Sequence, residues 1–190
     1  MDPKELFAKA LDHAAMCIQQ VKNADLTNRT PCSEWNLQQL LNHMVYELLW
    51  VPELLMGKTV AEVGEVHDGD VLRGDVHSSW KHAADGALVA VKHANLEAIT
   101  HLSYADVPAE AYITEIGGDT LLHGWDVSRA LKCSLVFNSK LAQAVYDSIL
   151  PRQAEFAASG LFGTPIDVPD DSSLEVKLLA LVGRRADIEP

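Results

Sequence analysis

Asp119 and His123 set a carboxylate and an imidazole four positions apart, a spacing that puts both on one side of a helix, one turn from each other. The surrounding segment, about Ala109 to Leu131, has the apolar period of such a helix. With Ile116 taken as zero and about 100° advanced per residue, Tyr112, Ile113, Thr120, Val127 and Ala130 fall within about 60° of it and form the stripe expected to be buried. Asp119 falls at about −60° and His123 at about −20°, in or beside that stripe. Burying an unpaired carboxylate costs several kcal/mol, and no neighbour along the stripe offers a positive charge. Two outcomes meet that demand. The pair hydrogen-bonds within the core, or both side chains ligate a divalent cation, since Asp oxygen and His nitrogen are ordinary ligands for zinc and its relatives.

A metal needs at least one more protein ligand. Of the other seven histidines, His43 is the best placed, at the flank of a second apolar stripe and on the same side as Leu40 and Glu47. His13, at a similar flank of the first helix, is the reserve candidate. His67, His77, His82, His93 and His101 fall in loops or around a helix that is mostly alanine, and read as surface residues. Asp126, three residues after His123, is either the acceptor that orients the imidazole, as metal-bound histidine usually requires, or the partner of Arg129. Glu47, one turn beyond His43, is the one residue nominated as a supporting proton acceptor. Catalytic residues beyond these stay unassigned. Trp35 and Trp125 read as packing residues, and Cys32, just before a helix N-terminus, as a turn cysteine. Asp68-Gly69-Asp70 lacks the twelve-residue loop and terminal Glu of a calcium site and reads as a solvated turn.

Helices must position these groups. Leu6, Ala10, Ala14, Cys17, Ile18 and Val21 predict a first helix ending near Asn23. The second opens at Asn36 with Gln39 three residues on, a capping box, runs through Leu37, Leu40, Leu41, Met44, Leu48, Val51 and Leu55, and stops at Gly57. Residues 58–76 read as a long loop. A third helix spans about Ser78 to Ala94, with Trp80, Ala83, Ala84, Ala87, Leu88 and Val91 inward. Alternation around Ile99, His101 and Ser103 permits a short strand. A fifth helix, about Ser139 to Ser159, is kinked or broken at Pro151. Ser172 with Glu175 predicts a capping box for a last helix through Leu178, Leu179 and Leu181. Long helices with little strand signal predict an all-α bundle, and 190 residues suit one domain with its own core, covering residues 1–190.

The balance of 15 Lys and Arg against 27 Asp and Glu gives a net charge of −12. That disfavours nucleic acid, whose binding relies on cations neutralising phosphates, and an anionic membrane surface. No apolar run approaches the roughly 18 residues of a membrane span, and Met1-Asp2-Pro3-Lys4-Glu5 does not read as a signal peptide. Three unpaired cysteines, Cys17, Cys32 and Cys133, suit reduced thiols in the cytoplasm.

Three separated motifs resemble one family. Thr30-Pro31-Cys32-Ser33-Glu34-Trp35-Asn36-Leu37, continuing to Leu40-Leu41-Asn42-His43, is similar to the opening of proteins related to mycothiol-dependent maleylpyruvate isomerase, within the wider DinB-like group of metal-binding bundles. Asp119-x-x-x-His123-Gly124-Trp125-Asp126 resembles that family's second signature. Gly160-Leu161-Phe162-Gly163, Val168-Pro169-Asp170 and Leu178 through Arg184 resemble its C-terminal block. The resemblance implies a DinB-like four-helix bundle with an additional C-terminal helix. It also implies one divalent metal on His43, Asp119 and His123, zinc being expected and nickel the alternative. Relatives carry Glu or His at the first of the paired positions, and this chain has the shorter Asp. The implied chemistry uses a low-molecular-weight thiol of the mycothiol type and an electrophilic substrate, in a transferase or isomerase. A metal-dependent hydrolase is the alternative, and so is a non-catalytic dimeric metal-binding module, because no nucleophile or acid–base pair stands out. The surplus apolar residues Leu121, Leu122 and Trp125 suggest either a homodimer or cover by the C-terminal helix.

Overall fold

The computed structural model describes residues 1–159 and 162–186. Eight helices appear among them: α1 (Pro3–Ile18), α2 (Leu37–Leu55), α3 (Val60–Val63), α4 (Val76–His93), α5 (Ala109–Ala130), α6 (Ser139–Ile149), α7 (Gln153–Ser159) and α8 (Leu174–Leu181). A two-stranded antiparallel hairpin, β1 (Ile99–His101) and β2 (Asp106–Pro108), joins α4 to α5, with Thr100 opposite Val107. The bundle is formed by α1, α2, α4 and α5. Leu37, Leu40, Leu41 and Leu48 of α2 are wholly buried there, against Phe7 and Ile18 of α1 and Ile113 of α5. The expected bundle is therefore present, and no described helix is long and apolar enough to cross a membrane.

Helix ends follow local polar chemistry. Asn36 accepts from the Gln39 N–H at 3.0 Å and the Gln39 side chain accepts from the Asn36 N–H at 2.9 Å, the expected capping box. Elsewhere the boundaries move. The first helix stops at Ile18, not Asn23, because Asp25 accepts from the Lys22 N–H at 2.9 Å and draws 23–25 into a separate 3₁₀ turn. Within 58–76, Thr59 and Glu62 form a second capping box that starts the short α3. Asp75 caps α4 at Ser78 N–H, so that helix begins at Val76. Leu88 lies on its solvent face, 39% exposed. Pro151 breaks the fifth predicted helix into α6, a 3₁₀ turn (Leu150–Arg152) and α7. The cap of α8 is Ser173, not Ser172, and Glu175 turns away to accept from the Phe137 N–H.

Close approach of α1 to α5 depends on two glycines seven residues apart. A Cβ at Gly124 would lie 3.0 Å from Ala14 Cα and Cβ, and one at Gly117 would lie 2.5 Å from Leu6 Cδ2. A second apolar cluster gathers Leu121, Leu122 and Trp125 of α5 with Leu141 and Val145 of α6 and Leu178 and Leu179 of α8. The surplus apolar residues of α5 are thus covered within the chain. All three cysteines are free, as expected. Cys17 Sγ lies 2.9 Å from Cys133 Sγ, and burial, with Cys133 beside it, pushes the Cys17 thiol up to about 12.

Candidate metal centre

The segment before α2 is tied into a tight turn. The Thr30 hydroxyl lies 2.8 Å from the Trp35 carbonyl and 3.0 Å from the Cys32 carbonyl, and accepts from the Cys32 N–H at 3.1 Å. Arg29 and Asn36 bridge across its base. The turn lays Trp35 over the first turns of α2, its ring 4.7 Å from the His43 ring and 6.1 Å from that of His123. Trp35 is therefore a wall of the site as well as a packing residue, whereas Trp125 is buried in the second cluster.

His43 from α2 meets Asp119 and His123 from α5. Asp119 Oδ1 lies 3.3 Å from His123 Nε2 and Asp119 Oδ2 lies 4.0 Å from His43 Nε2. One ligating atom from each of the three can be chosen so that all lie within 4.8 Å of one another. An ion about 2.0–2.2 Å from each ligand allows ligand atoms to stand up to about 4 Å apart, so small rotamer changes close the set around one cation.

The far side of the His123 ring decides which nitrogen is available. Nδ1 lies 2.9 Å from Asp126 Oδ2, and an Nδ1–H donated there leaves the Nε2 lone pair facing Asp119 and His43. Asp126 is wholly buried and fully satisfied: Arg184 donates from Nε to Oδ1 at 2.9 Å and from a terminal nitrogen to Oδ2 at 2.7 Å, and Cys32 Sγ lies 3.4 Å from Oδ2. Burial opposes the charge, but Arg184 and His123 hold the Asp126 carboxyl well below the usual range. Burial likewise opposes charge on Asp119 and is overcome by His123, His43 and Arg184. His123 follows the same logic with the sign reversed: burial disfavours the imidazolium, yet Asp119, Asp126 and Cys32 hold its affinity for a proton well above ordinary. The site therefore demands positive charge at Nε2, which a proton or a divalent cation can supply.

Cys32, His123 and Asp126 also lie close enough together to be weighed as ligands. Arg184 already answers the negative charge on that side, with a terminal nitrogen 3.8 Å from Cys32 Sγ, and a second cation there would be repelled. The donor set fits a metal on the His43 side alone.

Arg184 is the residue missed in sequence. It stands 58 positions from its partner, just after Gly183, whose φ is +76° and where a Cβ would fall 2.6 Å from the Gly163 carbonyl carbon. Arg129, the partner considered for Asp126, instead donates to the Cys133 carbonyl and lies over the Trp125 ring. His13 does not join the site. It is buried against Phe137, with no hydrogen-bond partner at Nε2 among the described residues. His67 is half-buried beside Trp50, and His101 pairs with Asp106 at 2.8 Å. Gly160 and Leu161, part of the C-terminal motif, lie outside the described residues.

Open space of about 580 Å³ adjoins the three-residue cluster, bounded by the Cys32–Trp35 turn, Glu47, Tyr112, Glu115, Phe162 and the Gly183–Arg184 corner. Glu47 lies 3.9 Å from His43 Nδ1, and burial first, then Asp119, pushes its carboxyl up to about 7. A smaller lobe of about 300 Å³ shares Glu115, Asp119, Phe156 and Phe162 with it.

Residues 7–128 match the family described as mycothiol maleylpyruvate isomerase N-terminal domain. The chain belongs to that family. Two uncharacterised proteins of Mycobacterium tuberculosis, one from strain CDC 1551 / Oshkosh and one from strain H37Rv, are each 28% identical to it over 148 residues, 75% of this chain and 74% of theirs. A crystal structure of mycothiol-dependent maleylpyruvate isomerase superposes with a TM-score of 0.71 at 13% identity, covering 97% of this chain and 89% of that one. A mutant form of such an enzyme gives 0.64 at 12% identity, covering 83% and 71%. These solved structures establish the shared DinB-like fold.

Proposed function

We propose that this chain is a single metal-binding unit, located in the cytoplasm, that uses a divalent metal, zinc rather than nickel, to activate a low-molecular-weight thiol of the mycothiol type toward an electrophilic substrate. The observation that carries the reading is the convergence of His43, Asp119 and His123 on one wall of the cavity, with Asp126 holding the opposite edge of the His123 ring. When bound, the metal lowers the pKa of a coordinated thiol, so that a thiolate nucleophile exists at neutral pH. The chain's own residues do the rest. Asp126 fixes the His123 tautomer, and Arg184 keeps Asp126 ionised. Glu47, on the cavity wall beside His43, is the carboxylate placed to accept the thiol proton. Trp35 shields the metal side from water.

The competing hydrolase would use the same three residues to activate water. The non-catalytic module, motivated by the lack of an evident nucleophile, loses only its dimer surface, because α6 and α8 cover the apolar face of α5.

The test is elemental analysis of untagged protein followed by turnover assays. About one metal per chain and electrophile consumption that depends on added thiol are expected. Thiol-independent ester or amide hydrolysis by the loaded protein would replace this reading with the hydrolase, and negligible metal would remove both.

A further inference from the structure

Away from the metal centre, two thiols meet. Cys17 lies in the last turn of α1, and Cys133 follows the C-terminal end of α5. They are 116 positions apart in the chain, yet their sulfurs stand 2.9 Å apart, about 1 Å more than the length of an S–S bond. Local structure on both sides fixes the meeting. Cys17 follows Ala14 by one helical turn and shares its side of α1, and Ala14 packs directly against Gly124 of α5. On the other side, α5 ends in a Schellman turn. The Cys133 N–H donates to the Ser128 carbonyl at 2.9 Å and the Lys132 N–H to the Arg129 carbonyl at 3.0 Å, with Lys132 at φ +53°. That turn folds Cys133 back over the helix end, where Arg129 donates to its carbonyl at 3.1 Å.

The two thiols are unequal. Cys17 is 1% exposed, whereas Cys133 is half-buried between the exposed Lys132 and Ser134. A reagent from solvent therefore reaches Cys133 first. Burial, then Cys133, makes the Cys17 thiol slow to ionise, and the Arg129 charge works the other way. Neither Cys17 nor Cys133 lines the cavity beside the three-residue cluster.

We infer that Cys17 and Cys133 form a reversible dithiol–disulfide pair that closes when low-molecular-weight disulfides accumulate. The Cys133 thiolate attacks one sulfur of the small disulfide. A mixed disulfide forms, and the reagent's own S–S bond breaks to release one thiol. Cys17, having given its proton to solvent, then attacks the Cys133 sulfur and displaces the second small thiolate, which takes up a proton. Two electrons and two protons have passed from the protein to the small disulfide. In a reducing compartment the pair rests as thiols. Closing the bond ties the end of α1 to the end of α5. That restricts the unfolded chain far more than the folded one, because the sulfurs are already side by side. The inference is independent of the thiol-transfer reading.

The experiment treats the untagged full chain, as purified, with bis(2-hydroxyethyl) disulfide. One portion is melted, and another is denatured, alkylated with iodoacetamide and mapped by mass spectrometry. A cross-link between the peptides carrying Cys17 and Cys133 is expected, with no reagent retained on either and full reversal by dithiothreitol. The oxidised chain should melt about 5–15 °C above the reduced one. Cys17→Ser should halt the reaction at a mixed disulfide on Cys133, and Cys133→Ser should leave Cys17 unmodified until the chain is denatured. Cys32 should stay outside the cross-link. Full alkylation of Cys17 and Cys133 after treatment, a stable adduct on Cys133 of the wild type, a bond that includes Cys32, or an oxidised chain that melts no higher than the reduced one overturns the inference.

Discussion

Two histidines are buried to nearly the same degree, His13 at 8% exposure and His123 at 7%, and their surroundings make them opposites. His13 faces Phe137 and finds no partner for Nε2 among the described residues, so burial lowers its pKa and it stays neutral. His123 is held between Asp119 and Asp126, which raise its demand for positive charge. Burial alone does not set that demand. Carboxylates one turn away on the same helix do, and the two edges of the His123 ring differ: one faces Asp126, whose charge an internal cation, Arg184, answers, and the other faces Asp119 and His43.

The sharpest way to break that contrast is at the Asp126 edge. Arg184→Met strands a wholly buried Asp126, and urea denaturation should report a loss of about 3–5 kcal/mol, with or without metal. At the Asp119 edge the loss should appear only in the presence of metal. His43→Ala is expected to take metal content from about one per chain to near zero and to abolish the stabilisation that excess zinc gives, about 2.7 kcal/mol at a hundredfold excess over the Kd. The metal-free melting curve should barely move. His13→Leu should keep its metal, and a fall in zinc content there would end the distinction between the two histidines.

Gly124→Ala tests whether the site depends on how closely α1 lies against α5. The new methyl would stand 3.0 Å from Ala14, and a loss of about 1–3 kcal/mol is expected in thermal unfolding. The smallest effect is in pH. Because the pKa of His13 is lowered from 6.5, the unfolded chain binds that proton more readily than the folded one. Its contribution to stability is present in full above 6.5 and is lost as the pH falls through the folded value. Urea midpoints measured from pH 8 to 5 should fall in the wild type and fall less steeply in His13→Leu.

Much of the site's own helix was legible beforehand. The four-residue step from Asp119 to His123 is a property of the chain, and so is their coincidence with an apolar stripe. The Asn36–Gln39 box that begins α2 was legible for the same reason, since both bonds close within three residues. Less visible were boundaries where polar residues compete locally, as at Asp25, Thr59 and Ser173. Arg184 was not legible as the partner of Asp126. Arg129 lies at a helical step from Asp126 and Arg184 does not; Arg184 follows the positive-φ corner at Gly183, packed against the Gly163 backbone.

By itself, then, the amino-acid order determined what depends on near neighbours: the helices, the polar pair on an oily face, and the family likeness in three short motifs. Tertiary structure alone decided which arginine answered the buried carboxylate and what covered Leu121, Leu122 and Trp125, and it set the distances at which His43, already singled out in the sequence, meets the pair. The physical reason is that helical periodicity specifies directions around one axis, whereas charge compensation and burial depend on distances between axes, and those are set by close contacts such as Gly124 against Ala14.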